Sequence, residues 1–274
     1  MRKAFNSVTL VASVYRLSVR ELLRNRLGLA MLVLIPCIFI GIALATAGKS
    51  TIPIKLYLQG GVENLLLTQH DIMLVFITAS VNGFLTAYFA LLLFHRDFGY
   101  YRYCVFVGLP PSAFIVGRFA FFFTIAALLA GMTTLINGYY VPLQNPMLVF
   151  FGFLFLGIIY GSFGSIIGSF SRDFLVAILG IFLLTDLDAA WLQNPVYYSA
   201  SQEKDFLRWL PAHFPTQVIF SSAFTDNINW RALAGSAGYT LLSFGLLFLL
   251  VSLRMQRVSD INRRSSAGEE TEHV

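Results

Sequence analysis

The chain has 274 residues, of which 57% are hydrophobic and only 12% charged. Its 19 Lys and Arg outnumber its 14 Asp and Glu, for a net charge of +5. The basic residues are strung along the edges of apolar stretches and form no single patch, which excludes a nucleic-acid surface, and the length leaves no room for a large soluble domain beside those stretches.

Met1-Arg2-Lys3 resembles the start of a signal peptide, but the apolar stretch behind it is broken at Arg16, so no cleaved signal is expected. The segment up to Arg26 instead reads as an amphipathic helix. Arg16, Arg20 and Arg24 recur every four residues on one face, and Val11, Tyr15, Val19 and Leu22 fall on the other. Such a helix lies in the membrane interface. Two readings stay open: a generic juxtamembrane anchor, or an elbow leading into the first span.

Near charge-free runs then cover Leu27–Gly48, Ile72–Phe94, Phe114–Ile136, Met147–Phe170, Phe174–Thr185 and Ala232–Leu253. About 20 apolar residues cross a bilayer as a helix. Five runs reach that length; the fifth does so, to residue 192, only by taking in Asp186 and Asp188. Backbone polar groups in lipid must be satisfied within the segment, so the runs are expected to be helices. The fold class expected is an all-α polytopic membrane protein, one six-span domain over residues 1–260 with a disordered cytoplasmic tail at 261–274. Pro36 should kink the first span locally.

With both termini inside, Arg2, Lys3, Arg16, Arg20, Arg24, Arg26, Arg96, Arg102, Arg118, Arg172, Arg254, Arg257, Arg263 and Arg264 are cytoplasmic. Only Lys49, Lys55, Lys204, Arg208 and Arg231 are outside. This obeys the positive-inside rule, and the reverse orientation breaks it at nearly every loop. Cys37 lies mid-span and Cys104 in a cytoplasmic loop, so no disulfide between them is expected.

Catalytic signatures are weak. Gly48-Lys49-Ser50-Thr51 resembles the end of a phosphate-binding loop, but that loop needs Gly at position 43, which is Ala. Gly161-Ser162 and Gly235-Ser236 raise an intramembrane serine nucleophile, which needs a base within reach. None of His70, His95, His213 and His273 lies mid-span, so no catalytic residue is assigned. Gly157, Gly161, Ser165 and Ser169 recur every four residues, with Gly164 and Gly168 beside them, which is the pattern of close helix packing. No metal-ligand cluster is visible, and no cofactor is expected on this chain.

The remaining polar residues in the spans are Thr78, Asn82 and Thr86, four apart, and Asn137 at the end of the third. They are candidates for a translocation path or for interhelical hydrogen bonds. Asp186 and Asp188 are expected at the outer interface, where a carboxylate is cheap. The segment 186–231 is long and aromatic, with Trp191, Trp209 and Phe214, and Pro195, Pro211 and Pro215 cut it into short pieces. Short re-entrant or interfacial helices are expected there, with Asp186, Asp188, Trp209 and Phe214 as candidate outer-gate residues. On the other side, the loop from His95 to Ser112 is too aromatic for a free loop, and Gly99 and Pro110 bracket about ten residues that could form a short helix.

Three places together resemble the permease family of type-2 ABC exporters, the type V exporter fold. They are Arg20-Glu21-Leu22-Leu23-Arg24-Asn25-Arg26 before a span with Pro36, Asp97-x-Gly99 followed by an apolar stretch and Pro110, and Leu207-x-Trp209-Leu210-Pro211 with Phe214-Pro215. Asp97 stands where the family usually has Glu, and Tyr100 where Thr is common. The resemblance implies a permease subunit that pairs with a second, identical or related, permease. Two separate ATPase subunits would bind ATP and Mg and power export. It further implies a short cytoplasmic coupling helix, with Asp97, Gly99, Tyr100, Arg102, Tyr103 and Pro110 contacting the ATPase, and first and fifth spans flanking the dimer interface. The membrane would be the cytoplasmic membrane of a prokaryote, and the cargo amphipathic or hydrophobic: a drug, peptide, lipid or glycan-lipid. The competing classes are a membrane-embedded enzyme, a non-transporting assembly subunit and a secondary transporter.

Overall fold

The computed structural model describes residues 7–58, 61–95, 110–194 and 204–271. The chain begins with the amphipathic helix α1 (Ser7–Arg24). Val14 and Ser18 are buried, while Arg16, Arg20 and Arg24 are exposed. A single residue, Asn25, separates α1 from α2 (Arg26–Thr46). Its side-chain Oδ1 accepts from the Gly28 amide at 3.0 Å, satisfying one of the amides that a helix start leaves without a partner. Pro36 sits inside α2 without ending it.

A hairpin follows, which the sequence reading did not foresee and which makes the fold not purely α. Strands β1 (Thr51–Leu58) and β2 (Gly61–Thr68) pair antiparallel, from Thr51 opposite Thr68 to Leu58 opposite Gly61. Pro53 lacks an amide to donate, which a strand at a sheet edge tolerates. Ile54, 2% exposed, anchors the hairpin in the main core.

Five further long helices complete the bundle: α3 (Gln69–His95), α4 (Pro111–Tyr140), α5 (Pro146–Phe170), α6 (Phe174–Thr185) and the last helix, introduced below. Helix α6 does not stop at Thr185. It runs on through a π-helical stretch, Asp186–Leu192, so that the fifth apolar segment covers 19 residues. Short α7 (Lys204–Leu207) and α8 (His213–Phe224) come next, and then α9 (Trp230–Thr271). Helix α9 continues where a disordered tail was expected from residue 261; the segment holds no proline, and its only glycine is Gly268, so little there breaks a helix.

Six helices are long and apolar enough to cross a membrane: α2, α3, α4, α5, α6 with its π stretch, and α9 up to Arg254. The chain is thus built as a multi-pass membrane protein. Helix α3 is the axis, with 78% of its apolar window buried. The corresponding shares for α2, α6 and α9 are 17%, 28% and 22%, which makes these three peripheral.

Small residues set the closest approach in the bundle. A Cβ added at Gly164 of α5 would lie 2.2 Å from the Ala87 carbonyl oxygen of α3, and one at Gly161 would lie 2.3 Å from the Phe122 ring of α4. The spacing read from the sequence as a packing ridge is therefore the ridge on which α3 and α4 sit. The two ends of the bundle differ in chemistry. Arg118, Arg172 and Arg254 lie at the end where α1 packs, and Arg254 stacks 5.2 Å from the Phe170 ring. Tyr139, Tyr140, Trp191 and Trp230 lie exposed at the hairpin end, as an aromatic belt would.

Candidate functional site

The central feature is α8. Its twelve residues, about 18 Å long, do not form a cap on the helix ends but run back alongside the spans. The pairings fix this. At its C-terminal end the Ser222 and Ala223 carbonyls accept from the amides of Asn145 and Gln144, at 2.9 and 3.1 Å, just before α5 begins. Midway, Ile219 lies against Gly152, where an added Cβ would come within 2.6 Å. At the N-terminal end Phe214 covers Gly235 of α9 and packs at a tilt against Tyr239, with ring centroids 5.7 Å apart. Tyr239 in turn donates to the Trp209 carbonyl at 2.7 Å. Tyr239 is nine residues into α9, about 13 Å below its start at 1.5 Å per residue. Trp209 and the start of α8 thus lie well below the level of Trp230. The helix thus folds back along the spans, within the segment where short re-entrant or interfacial helices were expected.

A polar cluster holds this deep end. Asp188 is 7% exposed. Its Oδ2 accepts from the Tyr160 hydroxyl of α5 at 2.5 Å and from the Ala212 amide at 3.1 Å. Gln193 accepts from His213 Nδ1 at 3.2 Å through Oε1, and its Nε2 donates to the Leu207 carbonyl at 3.2 Å. His213 and Gln193 are buried too. One carboxylate therefore ties the fifth span, the fourth span and the turn into α8 together. Asp188, expected at the outer interface, is buried against protein rather than left open to solvent. The π-helical stretch carries the fifth segment past Thr185 and turns Asp188 inward, where Tyr160 and a backbone amide offset its desolvation. Asp186 opens the same stretch and is half-buried; the cluster's hydrogen bonds run through Asp188 and not through it.

Of the four expected gate residues, three meet here: Asp188 binds the Ala212 amide, Phe214 lies in the first turn of α8, and the Trp209 carbonyl is held by Tyr239. The Trp209 side chain itself is 77% exposed. Tyr160, Gln193, His213 and Tyr239 were missed. A buried Tyr in a glycine-rich span was the one signal available, and nothing in spacing joins it to Asp188.

Thr78, Asn82, Thr86 and Asn137 are all fully buried between α3, α4 and α5. Asn137 donates to Thr78 Oγ1 at 2.7 Å and to the Thr133 carbonyl at 2.8 Å. Asn82 donates to the Phe153 carbonyl at 2.8 Å, and Thr86 to the Asn82 carbonyl at 2.8 Å. Of the two readings of these residues, interhelical bonding is the one this geometry presents.

At the basic end, Arg118 of α4 is 1% exposed. Its Nη1 donates to Glu21 Oε2 at 2.7 Å and to Ser18 Oγ at 3.0 Å, latching α1 to the third span. Pro110 immediately precedes α4. Asp97, Gly99, Tyr100, Arg102 and Tyr103 lie outside the described residues. Ser162 and Ser236, raised above as candidate nucleophiles, each donate at 2.7 Å to a carbonyl of their own helix. Among the described residues no three His, Cys, Asp or Glu side chains converge as a metal site would require. Compared with known proteins, the chain matches no protein-family model and no curated protein.

Proposed function

We propose that the chain is the transmembrane permease subunit of an ATP-driven ABC exporter, working as a pair of permeases powered by two separate ATPase subunits that bind ATP and Mg. The observation that carries this reading is α8, folded back along the spans. A half-length helix lodged between α5 and α9, and pinned at its deep end by Asp188, supplies a movable plug at one mouth of the bundle. Its release would open a route that the fixed spans close. Asp186, Asp188, Trp209 and Phe214 are its gate residues in this reading.

Two further features support it. Helices α2 and α6, the first and fifth spans, present broad apolar faces: Val33, Leu34 and Ile38 on one, Leu175, Val176 and Leu179 on the other. Lipid or a second permease would cover them. At the opposite end, Arg118 ties the amphipathic α1 to the helix that follows residues 96–109. In this reading that segment carries Asp97, Gly99, Tyr100, Arg102 and Tyr103 to the ATPase. ATPase closure would then reach both α1 and α4. The basic end faces the cytoplasm, as the fourteen inner basic residues favour. The cargo is amphipathic or hydrophobic.

The test is purification from native membranes followed by transport into vesicles. The expected result is a four-subunit complex whose transport needs ATP. A fully active chain with no ATPase attached would refute the assignment.

A further inference from the structure

A cavity lies at the basic end, away from α8. Its volume is about 640 Å³, within the range of small-molecule sites of about 300–1,000 Å³. It opens between α1, α3 and α4. Its walls are apolar: Leu22, Phe89, Leu92, Leu93, Phe121 and Ile125. Its rim is polar and comes from the end of α1: Ser18, Glu21, Arg24 and Asn25. Such a lining suits a molecule with an apolar tail and a polar head.

The charge of the head follows from the rim. The Glu21 carboxylate is committed to Arg118 at 2.7 Å, so its charge is offset from below. Arg24 remains at the mouth, exposed, with Arg20 and Arg16 further along the same face of α1. The rim is therefore net positive, and the head it selects is an anion. Arginine is suited to phosphate because its planar fork donates two parallel hydrogen bonds. The cavity sits where an amphipathic helix meets the ends of spans, and helices of that kind lie at the headgroup boundary.

We infer that this crevice binds one anionic phospholipid from the bilayer, with its phosphate at Arg24 and an acyl chain against Phe89, Leu92, Phe121 and Ile125. The lipid fills the gap between α1 and the two helices that flank residues 96–109. It thereby becomes part of the α1–α4 latch, and the bilayer's anionic content bears on how firmly α1 is held.

The experiment reconstitutes the full-length protein in phosphatidylcholine vesicles containing a minor fraction of labelled phosphatidylglycerol. After extraction into detergent and washing, the retained phosphatidylglycerol per chain is counted. About one is expected for the wild type. Arg24→Ala should lower retention about tenfold, the ratio that loss of one charge-assisted pair produces. Ile125→Trp, which fills the apolar wall, should lower it comparably. Arg16→Ala removes an equal charge from the same helix outside the cavity and should leave retention unchanged. Glycerol phosphate should not compete, because it has no acyl chain. Thermal unfolding of each variant identifies any that is misfolded, in which case Arg24→Ala against Arg16→Ala decides alone. Equal retention in Arg24→Ala and wild type, or equal loss in Arg16→Ala and Arg24→Ala, would overturn the site. So would equal retention of phosphatidylcholine.

Discussion

Tyr160→Phe tests whether one hydroxyl pins the N-terminal end of α8. The substitution keeps the ring that packs against Gly83 and Phe163 and deletes only the donor to Asp188 Oδ2. Asp188 would be left, of these two bonds, with the Ala212 amide alone at 3.1 Å. A hydrogen bond to a carboxylate contributes about 1.5–3 kcal/mol, and leaving a buried acceptor short of a partner costs a similar amount. At about 1.4 kcal/mol per factor of ten, the docked position of α8 should weaken by about 10- to 100-fold. Hydrogen exchange read by mass spectrometry is the assay. Amides of residues 212–224 should exchange faster by that factor, while those of α3 stay protected. Asp188→Asn retains an oxygen that accepts from both donors and should lose less than Asp188→Ala. If Tyr160→Phe left exchange across 212–224 unchanged, the hydroxyl would not be what holds α8, and the gate reading would lose its latch.

Three other outcomes follow from the same geometry. Gly164→Ala places a methyl against the Ala87 carbonyl and should destabilise the bundle by about 1–3 kcal/mol, whereas Gly238→Ala, with open space around it, should leave the unfolding temperature unchanged or raised; equal effects would refute the α3–α5 contact. Glu21→Ala leaves the buried Arg118 without its carboxylate and should cost about 1–3 kcal/mol, more than Arg118→Met, because Glu21 is 47% exposed and water solvates it when Arg118 is removed; the reverse order in thermal unfolding would contradict the burial assigned to the pair. Single cysteines at Ser201 and Ser266 should label from outside and inside respectively in intact cells and in inverted vesicles, and the opposite pattern would reverse the proposed orientation.

The spans, the amphipathic helix and the packing ridge were legible in the sequence because each is a one-dimensional signal. A run of about 20 apolar residues, a four-residue repeat of Arg16, Arg20 and Arg24, and a four-residue repeat of small residues need no knowledge of neighbours. The hairpin was less legible, since its alternation over Thr51–Thr68 is short and its Pro53 argues against a strand until the strand is known to sit at an edge. The fifth span's reach to residue 192 was legible from the length a crossing helix needs, but that it gets there through a π-helical stretch, with Asp188 turned toward a donor, was not. Tyr160, Ala212 and Asp188 are separated by 24 to 52 residues, and no spacing rule joins them. The depth of α8 belongs to the same class, because proline and aromatic content mark a segment as short and interfacial without saying how far it enters. The sequence by itself determined what each segment would tolerate as surroundings, lipid or water. Only the tertiary structure decided which buried polar group meets which, because a hydrogen bond in the bundle interior is fixed by the packing of three helices at once and by no one of them alone.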